Sequence, residues 1–152
     1  VARLVGPQHA YSDWRTITLH HSATENGSAS SFSRYHSRRQ MGGLFYHFVI
    51  GNGHGAPDGS IEAGWRWREQ VEVKRPHDIQ ICLVGDFTQQ EVSDAELRSL
   101  AQLVTVLREQ YGIPLSGVRR HRDIPGLTTQ CPGNRFPFQK LLSVLAQTSS
   151  AP

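Results

Sequence analysis

The sequence predicts an α/β fold: a single domain in which a central mixed β-sheet is flanked by helices on both faces. Two observations predict it. Strand-like and helix-like segments are interleaved along the 152 residues, as in sheets that are covered by helices. In addition, four glycines, a proline and an aspartate fall within residues 51–60. That composition predicts a hairpin loop, and therefore at least one antiparallel pair of strands.

The first half of the chain contains three predicted strands and one predicted helix. Residues 16–21 alternate and are rich in β-branched side chains, which favours a strand. Residues 28–40 begin with serine, carry two aromatic residues three positions apart, and are followed by a glycine pair, which predicts a short helix. Residues 45–50 and 60–64 are the expected strands on either side of the hairpin loop.

The second half begins with the apolar stretch 79–84, which is typical of a strand that is covered on both faces. Ser93 and Glu96 then form a capping box, in which each side chain satisfies the other residue's free amide. Apolar residues follow at helical spacing, and Tyr111-Gly112 ends the predicted helix.

The last third contains a connection and a closing helix. Residues 114–130 are expected to be a connection, and residues 138–146 a helix with three leucines on its inner face. We therefore predict one domain at residues 15–147, after an N-terminal extension at residues 1–14 and before a tail or linker at residues 148–152.

The composition is that of a globular domain, with 38% hydrophobic and 19% charged residues. No stretch approaches the roughly 18 apolar residues that cross a membrane. The chain shows no signal peptide and does not begin with Met, so we expect a mature or excised fragment. The net charge of +3 favours acidic polymers as partners, although scattered positive charge also fits an ordinary solvated surface.

The two cysteines lie in different contexts. Cys82 is part of the apolar stretch, whereas Cys131 follows a polar loop and precedes Pro132-Gly133. A disulfide between them is possible, but nothing in the spacing implies a disulfide framework. A buried Cys82 and a metal-binding Cys131 fit the two contexts better.

The histidines are the main candidate metal ligands in the sequence. Zinc takes three or four N, S or O ligands, and His121 and Cys131 offer an imidazole and a thiolate, separated by nine residues of a loop. That pair alone is a weak motif. His20 and His21 are adjacent on a strand and point to opposite faces. His20 shares the more polar face with two threonines, which favours it as a ligand, and His21 is expected to be a half-buried core residue.

Five short blocks follow one another along most of the chain. In this order they resemble the N-acetylmuramoyl-L-alanine amidase type 2 family, which includes a phage lysozyme and the animal peptidoglycan recognition proteins. The blocks are Leu19-His20-His21-Ser22-Ala23-Thr24, Phe45-Tyr46-His47-Phe48-Val49-Ile50-Gly51, Ile81-Cys82-Leu83-Val84-Gly85, His121-Arg122-Asp123 and Cys131-Pro132-Gly133.

The resemblance implies one zinc ion per chain, held by His20, His121 and Cys131. It also implies that Tyr46 is the active-site tyrosine. Many members have lysine two residues before the cysteine, whereas the recognition-protein branch commonly has threonine. This chain has Thr129 there, and Thr128 stays an alternative because the loop is longer than in the phage enzyme. Catalytic roles are therefore expected for Tyr46 and Thr129.

The chain also departs from the family pattern. One amidase branch has glutamate at the position of Cys82, so a carboxylate base is not expected there. The family's Asn-x-Ser-Ile-Gly segment reads His77-Asp78-Ile79-Gln80 in this chain, which leaves the far end of the binding groove open.

The alternation Trp65-Arg66-Trp67-Arg68 suggests a substrate contact. Trp65 would stack on a sugar and Arg66 would pair with a carboxylate of the stem peptide. An edge strand or loop with a partly buried tryptophan is the competing interpretation. Five further histidines are interpreted as structural or surface residues: His9, His36, His47, His54 and His77.

The function that the resemblance implies is zinc-dependent hydrolysis of the peptidoglycan amide between N-acetylmuramic acid and L-alanine. The alternative is a recognition module of the same fold that binds peptidoglycan without cutting it, and the retained Cys131 favours the enzyme. The expected partners are peptidoglycan or muropeptides, without nucleic acid, and the protein is expected to be a monomer. Its expected location is the cell envelope, periplasmic or secreted, with a phage endolysin made in the cytoplasm as the alternative.

Overall fold

A computed structural model describes residues 1–7 and 12–149. His9 and the last three residues of the predicted tail lie outside the described residues. The described part contains these elements: helices α1 (Ala2–Val5), α2 (Ala29–Arg38), α3 (Trp65–Arg68), α4 (Asp94–Tyr111) and α5 (Phe138–Ser149), and strands β1 (Thr16–His21), β2 (Phe48–Ile50), β3 (Ile61–Ala63), β4 (Asp78–Leu83) and β5 (Val118–Arg120). Short 3₁₀ turns cover Leu115–Gly117 and His121–Asp123.

The five strands form one mixed sheet in the order β3-β2-β4-β1-β5. Strand β1 lies between β4 and β5 and is parallel to both, and β2 is parallel to β4. Strand β3 runs antiparallel to β2 across the glycine-rich loop, as the sequence predicted. The mixed α/β architecture is therefore confirmed.

Because side chains alternate along a strand, one face of the sheet is apolar and the other is partly polar. On β1, Ile17 and Leu19 are fully buried in the main core, which α4 and α5 cover. On the opposite face, α2 packs Phe32 against a smaller cluster that includes Val49. Helices therefore lie on both faces, and the polar part of the second face carries His20.

The two elements with the strongest local signals match their predicted bounds. Strand β1 covers the predicted residues 16–21. Helix α4 begins after Ser93, whose hydroxyl oxygen accepts from the Glu96 amide at 3.0 Å, while the Ser93 amide donates to Glu96 Oε1 at 3.4 Å. Gly112 ends it with a φ of 67°, a left-handed conformation that glycine adopts without strain.

Three short segments differ from the prediction. Strand β2 begins at Phe48 rather than residue 45, because the Phe45 amide donates to His36 Nδ1 instead of to a neighbouring strand. The predicted connection at 114–130 contains β5, which pairs with β1. Residues 65–68 form the helical turn α3, so the interpretation as an edge strand or loop was wrong.

Described residues on both sides of positions 8–11 contribute to the core. Val5 is 2% exposed and its carbonyl accepts from the indole nitrogen of Trp67 at 3.0 Å, while Trp14 is 3% exposed. The division of the chain at residue 15 stays a prediction. Within residues 1–7 and 12–149, no helix is both long and apolar enough to cross a membrane.

Candidate metal centre

Three predicted ligands lie close together at the carboxyl ends of the parallel strands. His20 lies near the end of β1, His121 follows the end of β5, and Cys131 lies on the loop that approaches the same edge. Because β1 and β5 are parallel neighbours, their carboxyl ends meet there. The candidate ligand atoms all lie within 4.8 Å of one another, and the rings of His20 and His121 are 4.7 Å apart between centroids.

This arrangement fits zinc. A tetrahedral zinc ion holds nitrogen and sulfur ligands roughly 3.3–3.8 Å apart from one another. The separations in the cluster are close enough to reach those values with small side-chain adjustments. Two imidazoles and one thiolate suit zinc, and three protein ligands leave the fourth position open, as in catalytic zinc sites.

His20 is held as a neutral imidazole. Its side chain is buried, and its Nε2 lies 2.6 Å from Oε1 of Gln80. Burial lowers the pKa of His20 to about 3, against the opposing effect of the Gln80 hydrogen bond. Burial also lowers the pKa of the half-buried His121, with a smaller contribution from the charge of Arg75. Both rings are therefore in the protonation state that binds metals.

Cys131 is held in place by main-chain contacts. Its Sγ accepts from the His21 amide at 3.4 Å, and its carbonyl accepts from the Arg122 amide at 2.9 Å. Burial raises the pKa of the thiol to about 11, although the His21 amide partly opposes the rise. A thiol of this pKa binds a metal as thiolate only by releasing a proton.

His21 faces away from the cluster, as the strand alternation predicted. It is half-buried, and its Nδ1 accepts from the Phe87 amide at 3.2 Å. Three other histidines form hydrogen bonds with the main chain. His36 accepts from the Phe45 amide, and His77 is hydrogen-bonded to the Asp13 carbonyl. His47 accepts from the main-chain amide of Gln80 and is hydrogen-bonded to the Val71 carbonyl. His54 is exposed.

The two predicted hydroxyl groups lie beside the ligands. The ring centroid of Tyr46 is 5.3 Å from that of His20. Burial raises the pKa of Tyr46 well above its usual value, with a further contribution from the Cys82 thiol, so its hydroxyl keeps its proton and remains a donor. Thr129 Oγ1 accepts from the Cys131 amide at 3.2 Å, which leaves its own hydrogen available, whereas Thr128 is exposed.

The side chain of Arg66 is hydrogen-bonded to the main chain of the protein. Its guanidinium donates to the main-chain carbonyls of Leu44 at 3.1 Å, Met41 at 3.0 Å and Glu72 at 3.3 Å. It also stacks over Trp65 at 4.7 Å from the ring centroid. These contacts fix the turn that precedes Tyr46, so Arg66 has a structural role beyond the predicted one. A substrate role for Trp65 and Arg66 stays a prediction.

Sequence reasoning missed a polar network behind His20. The buried carboxylate of Asp78 accepts from both threonines on the polar face of β1, from Gln80, and from Arg75 and Arg119. Burial alone would raise the pKa of Asp78, but these hydrogen bonds keep it below its usual value. The signal was present as alternation, because Asp78 and Gln80 occupy alternate positions of an otherwise apolar strand.

The sequence pattern of the N-acetylmuramoyl-L-alanine amidase family matches residues 10–134, a range that contains all three candidate ligands. A comparison with curated proteins gives no match. Among solved structures, the chain is similar to the endolysine N-acetylmuramoyl-L-alanine amidase LysCS from Clostridium intestinale URNW, with 27% identity and a TM-score of 0.76. That similarity covers 96% of this chain and 92% of the other.

Two animal proteins share the fold at lower identity. Human PGRP-IBETAC, solved in complex with glycosamyl muramyl pentapeptide, is 17% identical, with a TM-score of 0.66 over 99% of this chain and 93% of that chain. Bumblebee PGRP-SA is 18% identical, also with a TM-score of 0.66, over 84% of this chain and 80% of that chain. At these identities the likeness shows the fold alone.

Proposed function

Because the chain belongs to the N-acetylmuramoyl-L-alanine amidase family, we propose that it uses one zinc ion to hydrolyse the amide between N-acetylmuramic acid and L-alanine in peptidoglycan. The observation that carries this proposal is the meeting of two imidazoles and a thiol, within 4.8 Å, in a chain of that family. The amidase LysCS, at 27% identity over nearly the whole chain, supports the same activity.

His20, His121 and Cys131 would hold the zinc. When bound, zinc supplies a water whose pKa lies near 7 and polarises the carbonyl of the scissile amide. Tyr46 and Thr129 would donate hydrogen bonds to the oxyanion that develops on that carbonyl. Each such donor is worth about 2–4 kcal/mol in other enzymes.

Among the described residues beside the candidate site, Cys82 and Tyr46 are the groups to consider for moving a proton to the leaving amine. Cys82 lies on β4 where one amidase branch places a glutamate, and burial raises the pKa of its thiol well above the usual value, so it supplies no base. Tyr46 lies next to it and retains its proton at neutral pH. We therefore assign to Tyr46, or to a chain of waters, the transfer of a proton from the attacking water to the leaving amine.

The proposed substrate is peptidoglycan or a muropeptide. Trp65 would stack on a sugar, and Arg66 would pair with a stem-peptide carboxylate. A guanidinium has five N–H donors, of which three are directed to main-chain carbonyls, so one on each terminal nitrogen is left for a substrate. Any pairing by Arg66 would therefore use only these two donors.

A second candidate is a recognition module that binds peptidoglycan without cutting it. The shared fold of a human protein solved with a muramyl pentapeptide supports it, as does threonine rather than lysine at position 129. The retained Cys131 supports hydrolysis instead. Under either candidate we propose a monomer that acts at the cell envelope, as a periplasmic or secreted protein or as a phage endolysin.

Digestion of purified peptidoglycan tests the proposal. The protein should release new L-alanine amino termini, release should stop when a chelator removes the metal, and it should return when zinc is added. Zinc-loaded protein that binds the polymer but releases no amino groups would refute hydrolysis and favour the recognition module. Release that persists in the chelated, metal-free protein would refute the zinc dependence.

A further inference from the structure

We propose that Gln80 is a positioning residue of the metal centre, which keeps the proton of His20 on Nε2 and thereby directs the unprotonated Nδ1 toward the other ligands. The inference rests on the proposed function only in taking His20 as a metal ligand. The two side chains meet on the polar face of the sheet, where Gln80 Oε1 lies 2.6 Å from His20 Nε2. Both are buried, at 0% and 4% exposure.

The orientation of the Gln80 amide follows from its other partners. Its nitrogen end lies 2.9 Å from Oδ2 of Asp78 and 3.3 Å from the Asp78 carbonyl, and both of these oxygens are acceptors. Its oxygen end lies 3.4 Å from a terminal nitrogen of Arg75, which can only donate. The opposite orientation would place donor against donor and acceptor against acceptor. Gln80 therefore presents its oxygen to His20.

Asp78 is firmly fixed in this arrangement. Thr18 donates to both of its oxygens, at 2.9 Å and 2.7 Å, and Arg75 and Arg119 contribute ion pairs at 3.1 Å and 3.4 Å. A carboxylate with this many donors stays ionised and keeps its place. The amide nitrogen of Gln80 is held by that carboxylate, so the amide cannot rotate without losing a charge-assisted hydrogen bond.

The proton on His20 follows from the same geometry. An amide oxygen accepts but does not donate, so Nε2 must carry the hydrogen that joins the two side chains. A neutral imidazole then has its lone pair on Nδ1, and that atom lies 3.9 Å from Cys131 Sγ. Partners of this kind orient metal-binding histidines, and their loss typically lowers metal affinity about 10–100-fold.

The strand register places the two side chains near each other. Gln80 is paired with Thr18 across the β1–β4 register, two pairs before His20 and Cys82 and therefore on the same face. Its side chain reaches His20 along the face that the two strands share.

The first test is the tautomer of His20 in the metal-free wild-type chain, read from long-range proton–nitrogen NMR correlations of the ring. We expect hydrogen on Nε2, and hydrogen on Nδ1 would overturn the proposal. This measurement needs no variant and no catalytic activity. It therefore remains decisive if a substitution prevents folding, or if the protein binds zinc without cutting peptidoglycan.

The second test is the zinc dissociation constant, measured by competition with a chelator. Gln80→Met keeps the length of the side chain but removes the acceptor, and we expect a constant about 10–100-fold higher. Thr16→Val is the matched control, because it removes a different hydrogen bond to Asp78 and leaves the Gln80–His20 contact in place. A folded Gln80→Met variant whose zinc dissociation constant equals that of the wild type would overturn the proposal. A wild-type chain that binds no zinc would overturn it as well.

Discussion

Nδ1 of His20 lies 3.9 Å from Sγ of Cys131, although the two residues are 111 positions apart in the chain. Strand β1 holds His20 in place, and Cys131 accepts hydrogen bonds from the main-chain amides of His21 and Arg122. The folded chain therefore brings a nitrogen and a sulfur candidate ligand together through its own contacts. We expect a site arranged in this way to bind a metal with little further ordering.

Replacing the sulfur ligand should remove the metal. We expect Cys131→Ala to reduce zinc content from one ion per chain to a small fraction and to abolish amide hydrolysis, because two imidazoles alone hold zinc weakly. Metal analysis of dialysed protein measures this. Cys82→Ala is the matched control, since Cys82 is the other cysteine and lies buried on β4. Equal zinc content in the Cys131 variant and the wild type would contradict the ligand assignment.

Removing the tyrosine hydroxyl should separate catalysis from metal binding. Tyr46→Phe keeps the ring against His20, so zinc content should be unchanged. The turnover number should fall about 100- to 1,000-fold if the hydroxyl is an oxyanion donor. Tyr35→Phe is the control, because that hydroxyl lies on the exposed side of α2 and accepts from Arg39. A Tyr46→Phe enzyme with wild-type turnover would contradict the catalytic role.

The stability of the fold should depend on pH through Glu96. Burial raises the pKa of this carboxyl to about 8, although the hydrogen bond from the Ser93 amide opposes the rise. Between about pH 4.5 and 8 the native state then holds a proton that the unfolded chain has lost. The free energy of unfolding should therefore fall as pH rises through that window, by about 1.4 kcal/mol per pH unit at most.

Glu96→Gln tests this dependence, because glutamine retains the capping interaction and does not titrate. Denaturant unfolding at several pH values should give similar stabilities near pH 4.5 and a more stable variant near pH 8. The same pH slope in both proteins would show that Glu96 is not responsible.

Arg66 should contribute to stability independently of substrate. Arg66→Lys replaces a planar fork that reaches three carbonyls with a single ammonium group, so we expect a loss of about 1–3 kcal/mol in the free energy of unfolding. Arg68→Lys is the control, because the Arg68 guanidinium donates to the Ala63 carbonyl, a contact that a single ammonium group can replace. An Arg66 variant with unchanged stability but weakened peptidoglycan binding would favour a role in substrate binding alone.

Local patterns predicted some elements well and others poorly, for a physical reason. Strand β1 and helix α4 were predicted to the residue, because alternation and a capping box act over two to four positions. Strand β5 has three residues, two of them arginine, and becomes a strand only by pairing with β1. The turn α3 is likewise too short to carry a periodic signal.

The sequence by itself determined the α/β class, the family, and the placement of His20 and His21 on opposite faces of the sheet. These depend on ordered blocks and on the two-residue period of a strand, both of which can be read along the chain. Only the tertiary structure decided that Gln80 faces His20, 60 positions away, and that Arg66 is engaged by carbonyls of another segment. Such contacts depend on which strands become neighbours and on how side chains fill the space between them. The packing of the whole domain determines the strand neighbours and the side-chain packing, and no local sequence pattern predicts these contacts.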